Sequence, residues 1–374
     1  MRRGSSCPVR RWDEKSMANI LDYLDWRGDV PFSLSPFNDV DNLVLAQTAY
    51  TLLDGILDED GVIAPEDAAK AFFEKYSHAE VLDDRARHKM APFLLEKMSR
   101  APRYGGMRLA HYINDIDPEG EAQMSAVTFV FPEFTYVADR GTDNSLIGWK
   151  EDFNLSYMPE TEGQRMAVDY LNRHFADFTG KLYVGGHSKG GNFAVFASAF
   201  CDPRIRERIA AVYSNDGPGF REEVTNSEEY AAVLPKVTSI IPESTLVGAL
   251  FGGRYDHKIV KSTEKGLSQH DATSWEVLRD GFVETEERSE QSLKMDEAVS
   301  NWLCQLSDED RYFFTDVFFE LLTSNGATTV DDLSDGVLAN LTDVLKSARS
   351  MPKEKRKEFS GMLKKLIKSI RTSV

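Results

Sequence analysis

Apolar residues change their spacing twice along the chain, which divides it into three stretches. From Met17 they recur every three or four residues. Ile20, Leu21, Leu24 and Trp26 predict a helix ending at Arg27-Gly28-Asp29, and 42–57, 65–76 and 85–99 predict further amphipathic helices. Near Glu121 the pattern shifts to short runs of β-branched and aromatic residues. Segments 124–131 (MSAVTFVF) and 134–138 (FTYVA), separated by Pro132-Glu133, predict two strands joined by a tight turn. Strand-like and helix-like segments then alternate. A helical turn is expected over 148–153 and a helix over 162–178, with Met166, Tyr170, Leu171 and Phe175 on one face. Short buried strands are expected at 182–184, 209–213 and 237–241, and 258–261 is expected to be the last. After about Trp275 helical spacing returns over 291–306, 309–323 and 330–348. The chain ends in an amphipathic helix with Phe359, Met362, Leu363, Leu366, Ile367 and Ile370 on one face.

This alternation indicates an α/β fold, a mostly parallel sheet flanked by helices. The expected organisation is a flexible tail (1–16), an N-terminal helical region packed on the core (17–120), an α/β core (121–280) and a C-terminal helical region (281–374).

Composition narrows the function classes. The 374 residues are 41% apolar and 28% charged, with a formal net charge of −17, which argues against a nucleic-acid partner. Cys7, Cys201 and Cys304 are odd in number and widely spaced, so reduced thiols are expected. The basic start lacks an apolar stretch that would mark a signal peptide, and a cytoplasmic location is the expectation. From Met351 the chain has eight Lys or Arg against two Glu. Such a helix can touch a membrane surface, but packing of its apolar face on the core is the preferred reading, because peripheral binding needs a second signal. Asp58-Glu59-Asp60-Gly61 looks like part of a calcium loop. Ile56 stands where that loop needs its first carboxylate, so a turn is expected and no metal or cofactor is.

The chemistry centres on 181–197, KLYVGGHSKGGNFAVFA. Gly186-His187-Ser188-Lys189-Gly190 fits G-x-S-x-G between a strand and a helix, the context of a nucleophile elbow. Glycines two residues either side of Ser188 let the chain turn sharply without Cβ clashes. The turn lifts the hydroxyl from the sheet and aims the Lys189 backbone N–H, at a helix N-terminus, toward an oxyanion. A serine nucleophile needs a histidine base downstream. His257 precedes the 258–261 strand and His270 follows it, on the edge where strand C-termini gather active-site loops, so His270 is preferred. The acid is Asp216, in a tight DGPG turn after one strand, with Glu243, after the next, as the second candidate. Thr142, in the loop after an early strand, is the second oxyanion donor.

Arg140-Gly141-Thr142-Asp143 followed by Trp149 and Asp152 (W-x-x-D), then GGHSKGG, resembles the class 3, fungal-type lipase branch of the α/β-hydrolases. The sequence is more similar to a bacterial branch of that superfamily without an assigned activity. That branch shows GGHSKGGN, DGPGF and QHD, here at 185–192, 216–220 and 269–271. WRGD at 26–29 and PFND-x-DN at 36–42 match its N-terminal portion. The resemblance spans most of 17–275 and implies Ser188 as nucleophile, His270 as base, and Lys189 and Thr142 as oxyanion donors. The fungal pattern places the acid at Glu243, whereas the bacterial DGPGF places it at Asp216. Asp139 stands where the fungal pattern has Phe. The expected function is hydrolysis of a small or lipid-like ester through an acyl-enzyme. Acyl transfer to another acceptor, or ligand binding without turnover, would use the same fold.

Overall fold

The computed structural model of the chain describes residues 17–83, 90–143, 145–323, 328–329 and 351–373. The expected tail, the start of the 85–99 helix and the 330–348 helix lie outside the described residues. The strands are β1 (Val62–Ile63), β2 (Arg108–Asp117), β3 (Ala122–Val130), β4 (Thr135–Asp139), β5 (Leu182–His187), β6 (Ile209–Asn215), β7 (Val237–Pro242), β8 (His257–Val260), β9 (Val277–Leu278), β10 (Gly281–Phe282) and β11 (Glu284–Thr285). Among the described residues, nine of them form one sheet in the order β1-β2-β3-β4-β5-β6-β7-β8-β11, and β9 and β10 form a separate hairpin. Strands β4 to β8 are parallel; β1 to β4 pair antiparallel, as does β11 with β8.

The helices are α1 (Ile20–Arg27), α2 (Asp39–Thr48), α3 (Pro65–Lys75), α4 (His78–Asp83), α5 (Ala91–Arg100), α6 (Leu146–Asn154), α7 (Glu162–Phe175), α8 (Lys189–Phe200), α9 (Pro203–Arg208), α10 (Glu222–Thr225), α11 (Glu228–Val233), α12 (Glu290–Leu303), α13 (Asp308–Thr323) and α14 (Lys353–Ser373). They cover both faces of the sheet, and the two-residue period of the strands sorts side chains between them. Val127, Phe129, Tyr136, Ala138 and Tyr183 pack with α1, α2, α3 and α5. Their strand neighbours Met124, Ala126, Val137, Leu182 and Val184 pack with α7, α8 and α11. Parallel strands buried on both faces read as continuous apolar runs, which is why these segments stand out in the sequence. The result is an α/β-hydrolase fold.

Two expectations need correction. The stretch 17–120 is not purely helical: β1 and β2 lie within it, and β2 is a ten-residue strand of the main sheet. Strand β2 is bulged between Ala110 and Ile113, with His111 at φ 52°, and its far end is the polar Asn114–Asp117. A bulge interrupts alternation, and Asn and Asp are depleted in strands, so the period is hidden. The 258–261 strand is not the last either, because the chain returns after it and adds β11 to the sheet edge.

Helix α2 ties the N-terminal layer to the sheet beside the elbow. Asn38 caps it, accepting from the Val40 and Asp41 N–H groups, while Asp41 accepts from the Asn38 N–H. The Asn42 amide donates to Asn215 Oδ1 of β6 (2.8 Å) and accepts from the Tyr136 hydroxyl of β4 (2.7 Å). Asn215 in turn donates to the Gly186 carbonyl (2.9 Å). At the other end of the chain, Phe359, Met362 and Leu363 of α14 are buried against Trp302, Phe314, Val317 and Leu321 of α12 and α13. Thus the first half of the basic helix's apolar face is covered from within, while Ile367 further along it stays exposed. Among the described residues no helix is long and apolar enough to cross a membrane.

Phe359 is wholly buried in that contact. Phe359→Ala should lower the unfolding free energy by about 3–5 kcal/mol in urea titrations. Lys365→Ala, on the exposed side of the same helix, should stay within about 0.5 kcal/mol of wild type.

Candidate active site

Strand β5 runs into α8 with one residue between them, Ser188, at φ 59° and ψ −133°. A non-glycine residue in that region is strained by roughly 1–3 kcal/mol and persists only where its surroundings hold it. Here the Ser188 N–H donates to the Asn215 carbonyl (2.9 Å), and its own carbonyl accepts from the Gly191 N–H (2.9 Å). The flanking glycines are required by close approach. A Cβ on Gly190 would collide with the Asp139 carbonyl oxygen at the end of β4, and one on Gly186 would meet the Gly190 backbone.

The neighbouring strand ends supply the partners of the serine. His270 closes a 3-10 turn (Gly266–His270) beyond β8, and its Nε2 lies 2.9 Å from Ser188 Oγ. Its Nδ1 lies 2.6 Å from Asp216 Oδ2. Asp216 follows β6, is fully buried and has φ 49°. Its other oxygen, Oδ1, accepts from the Thr245 hydroxyl and from the Gly248 N–H (3.1 Å). Both carboxylate oxygens are therefore occupied, which fixes the plane of the acid and the direction of its bond to the imidazole. Ser188 and His270 are each partly exposed, while Asp216 between the strand ends is not.

Glu243 and His257 stand apart from this cluster. Glu243 follows β7, but its backbone bonds Val260 and Ser289, and His270 Nδ1 faces Asp216 instead. His257 opens β8, where its Nδ1 meets Ser239 Oγ (2.8 Å) on β7, at the opposite end of the strand from His270.

The loop after β4 passes directly over the elbow. Gly141 lies against Ser188, where a Cβ would press on the serine's own. Thr142 follows, and its hydroxyl donates to Asp152 Oδ2 of α6 (2.6 Å). Burial pushes the Asp152 carboxyl up to about 6, with the Lys189 charge and the Thr142 bond pulling the other way. Lys189 opens α8, so its backbone N–H belongs to the first turn, whose donors the helix leaves unused. Its side chain points the other way, into the protein. The ammonium is fully buried and meets Glu151 Oε2 (2.8 Å), the Gln123 carbonyl (3.1 Å) and Gln123 Oε1 (3.3 Å). Glu151 also accepts from the N–H groups of Gln123 (3.0 Å) and Gly163 (2.8 Å). This single carboxylate joins β3, α7 and the first residue of the elbow helix.

Sequence patterns do not point to several of the supporting residues. Thr245 and Gly248 hold the Asp216 carboxylate from a stretch after β7 that carries no recognisable motif. Glu151 neighbours Asp152 of the W-x-x-D pattern, and that adjacency is its one local signal. His187, the x of the elbow, turns inward. Its Nε2 meets the His270 carbonyl (2.9 Å) and its Nδ1 the Tyr50 hydroxyl (3.2 Å). Burial, helped by the charge of His270, pushes its pKa down to about 3.

Lys189→Met should cost about 3–5 kcal/mol in chemical denaturation, because it leaves the Glu151 charge buried without its cation. The His187 shift has a definite sign. Unfolded, the ring binds a proton below its ordinary pKa of about 6.5; folded, it refuses one until about 3. Its contribution to stability is complete above that ordinary value and is lost as pH falls from there toward 3. Unfolding free energies measured across this window should rise with pH less steeply for His187→Gln than for wild type.

Solved structures similar to this chain include three lipases. A Rhizomucor miehei lipase–propeptide complex is 16% identical over 42% of this chain and 57% of its own, with a TM-score of 0.31. The Lip2 lipase from Yarrowia lipolytica is 13% identical over 52% of this chain and 75% of its own, at 0.34. A triacylglycerol lipase from Penicillium expansum is 13% identical over 48% and 75%, at 0.31. The chain thus spans little more than half of the first. The fold assignment rests on the topology above and not on these overlaps. A search of curated proteins found no match. A sequence profile described as Mbeg1-like matches residues 98–320, a stretch that includes the elbow, the Asp216 turn and His270 and exceeds half of the sequence, and the chain belongs to the Mbeg1-like family.

Proposed function

We propose that this protein is a serine hydrolase that cleaves an ester of a small or lipid-like molecule through an acyl-enzyme. One observation supports this most: a serine on strained backbone whose hydroxyl lies 2.9 Å from a histidine, the other nitrogen of which is 2.6 Å from a buried carboxylate. In this reading His270 Nε2 takes the Ser188 proton as Oγ attacks the ester carbonyl. Asp216 holds the imidazole in the tautomer with Nδ1–H and stabilises the imidazolium that forms. The N–H groups of Lys189 and Thr142 receive the oxyanion, with the positive end of α8 adding to the field there. The imidazolium returns its proton to the leaving alcohol. Water, deprotonated by the same imidazole, then releases the acid and frees Ser188. No step calls for a metal or cofactor.

Burial of the Lys189 ammonium beneath α8 fits this reading, because only its backbone is then offered to the substrate. The hydroxyl bond from Thr142 to Asp152 likewise restrains the loop that bears the second N–H.

Purified wild type should be labelled by a fluorophosphonate and should hydrolyse short p-nitrophenyl esters. Ser188→Ala should lose both signals with its thermal midpoint unchanged or raised. Asp216→Asn should lower kcat by roughly 10³–10⁴-fold. A wild-type protein inert to both reagents overturns the proposal, and so does a Ser188→Ala protein that keeps its esterase activity.

A further inference from the structure

We infer that Tyr50 and His187 form a positioning pair that fixes the oxyanion loop and the base loop relative to one another. The inference rests on the hydrolase reading of Ser188. Both side chains are buried, Tyr50 just beyond α2 and His187 at the last residue of β5.

The direction of four of the pair's bonds follows from chemistry. His187 Nε2 lies 2.9 Å from the carbonyl oxygen of His270. A carbonyl oxygen only accepts, so Nε2 bears the hydrogen. The buried ring is neutral, so Nδ1 is bare and accepts. The Tyr50 hydroxyl stands 3.2 Å from Nδ1 and donates to the His187 carbonyl oxygen at 3.3 Å. The Tyr50 oxygen in turn accepts from the Gly141 N–H at 3.1 Å. One ordered chain therefore runs from the Gly141 N–H through the Tyr50 hydroxyl and the His187 ring to the His270 backbone.

The ends of this chain are the two parts of the site that must agree in position. Gly141 is in contact with Ser188 and precedes Thr142. Holding its N–H fixes the peptide plane one residue before the proposed oxyanion donor. At the other end, His270 is the last residue of a short 3-10 turn with an exposed neighbour, Leu267. Holding its carbonyl limits rocking of the backbone that bears the imidazole. The His187 ring also packs against the His270 imidazole, with ring centroids 4.7 Å apart. Tyr50 and His187 act through Gly141 and His270, and the elbow residue between them makes a misplacement of one loop a misplacement of the other.

Tyr50→Phe keeps the buried ring and removes the hydroxyl. His187→Gln retains an amide donor near the Nε2 position and loses the Nδ1 acceptor. With p-nitrophenyl acetate, each single variant should show kcat lowered about tenfold and KM within about twofold of wild type, the size of effect expected from one hydrogen bond felt in the transition state. Fluorophosphonate labelling of Ser188 should slow in parallel. The double variant should fall little below the worse single one, because the two side chains act as one unit. A folded Tyr50→Phe protein with kcat within twofold of wild type overturns the inference while leaving the hydrolase reading in place. A wild-type protein inert to both reagents removes that reading first. A long-range 1H–15N spectrum of the wild-type protein needs no variant and decides the matter should both variants fail to fold. It should show His187 protonated at Nε2 and bare at Nδ1 at neutral pH, and the opposite tautomer overturns the inference.

Discussion

The left-handed backbone at Ser188 is the constraint on which the rest of the structure depends. A serine takes φ 59° only if the turn between β5 and α8 is held from outside, and the means of holding it shape every neighbour. The chain must be bare at Gly186 and Gly190 so that the carbonyl of Asp139 can pass close to the first turn of α8. The strand on the other side must supply a carbonyl, from Asn215, for the Ser188 N–H. The same turn leaves Ser188 partly exposed while the residues before and after it, His187 and Lys189, are buried.

Those two inward residues are polar, and the surrounding protein is built to receive them. Lys189 meets Glu151 and Gln123; His187 meets Tyr50 and the His270 backbone. A buried ion pair contributes little net stability compared with apolar residues of similar size, but removing one partner is severe. Such groups set position more than they set stability. Asp41 repeats the arrangement in the N-terminal layer, where it accepts from Tyr23, Tyr104 and Arg103 and so orients the helix that precedes Tyr50. Asp139, at the end of β4, is the exception. Burial drives its carboxyl well above the usual range.

Much of this is legible in the sequence, and the illegible part has a common cause. The parallel strands announce themselves because they are buried on both faces. The elbow announces itself because close approach leaves glycine as the only residue that fits. The preference for His270 over His257 needs only the direction of one strand. The competition between Asp216 and Glu243 is different, because both follow strands that end at the same sheet edge. What distinguishes them is where the imidazole points and where Thr245 and Gly248 place their donors, and none of this is a local property of either stretch of sequence. Tyr50 lies 137 residues from His187 and 91 from Gly141, with nothing in its neighbourhood to mark it. Strand β2 is hidden for a local reason, a bulge followed by residues that rarely form strands.

That same strand borders the sheet, and its irregularity bears on how the molecule behaves in company. β1 pairs only with Leu109 and Ala110, so past the kink at His111 the outer margin of β2 is left without a strand partner among the described residues. A flat, apolar border of that length would invite a strand from another molecule to dock and extend the ladder. Here the bulge at His111 interrupts the regular ladder, and Asp115 and Asp117 add two carboxylates along that margin. The residues that obscure the strand from a reader of the sequence also make it a poor template for self-association.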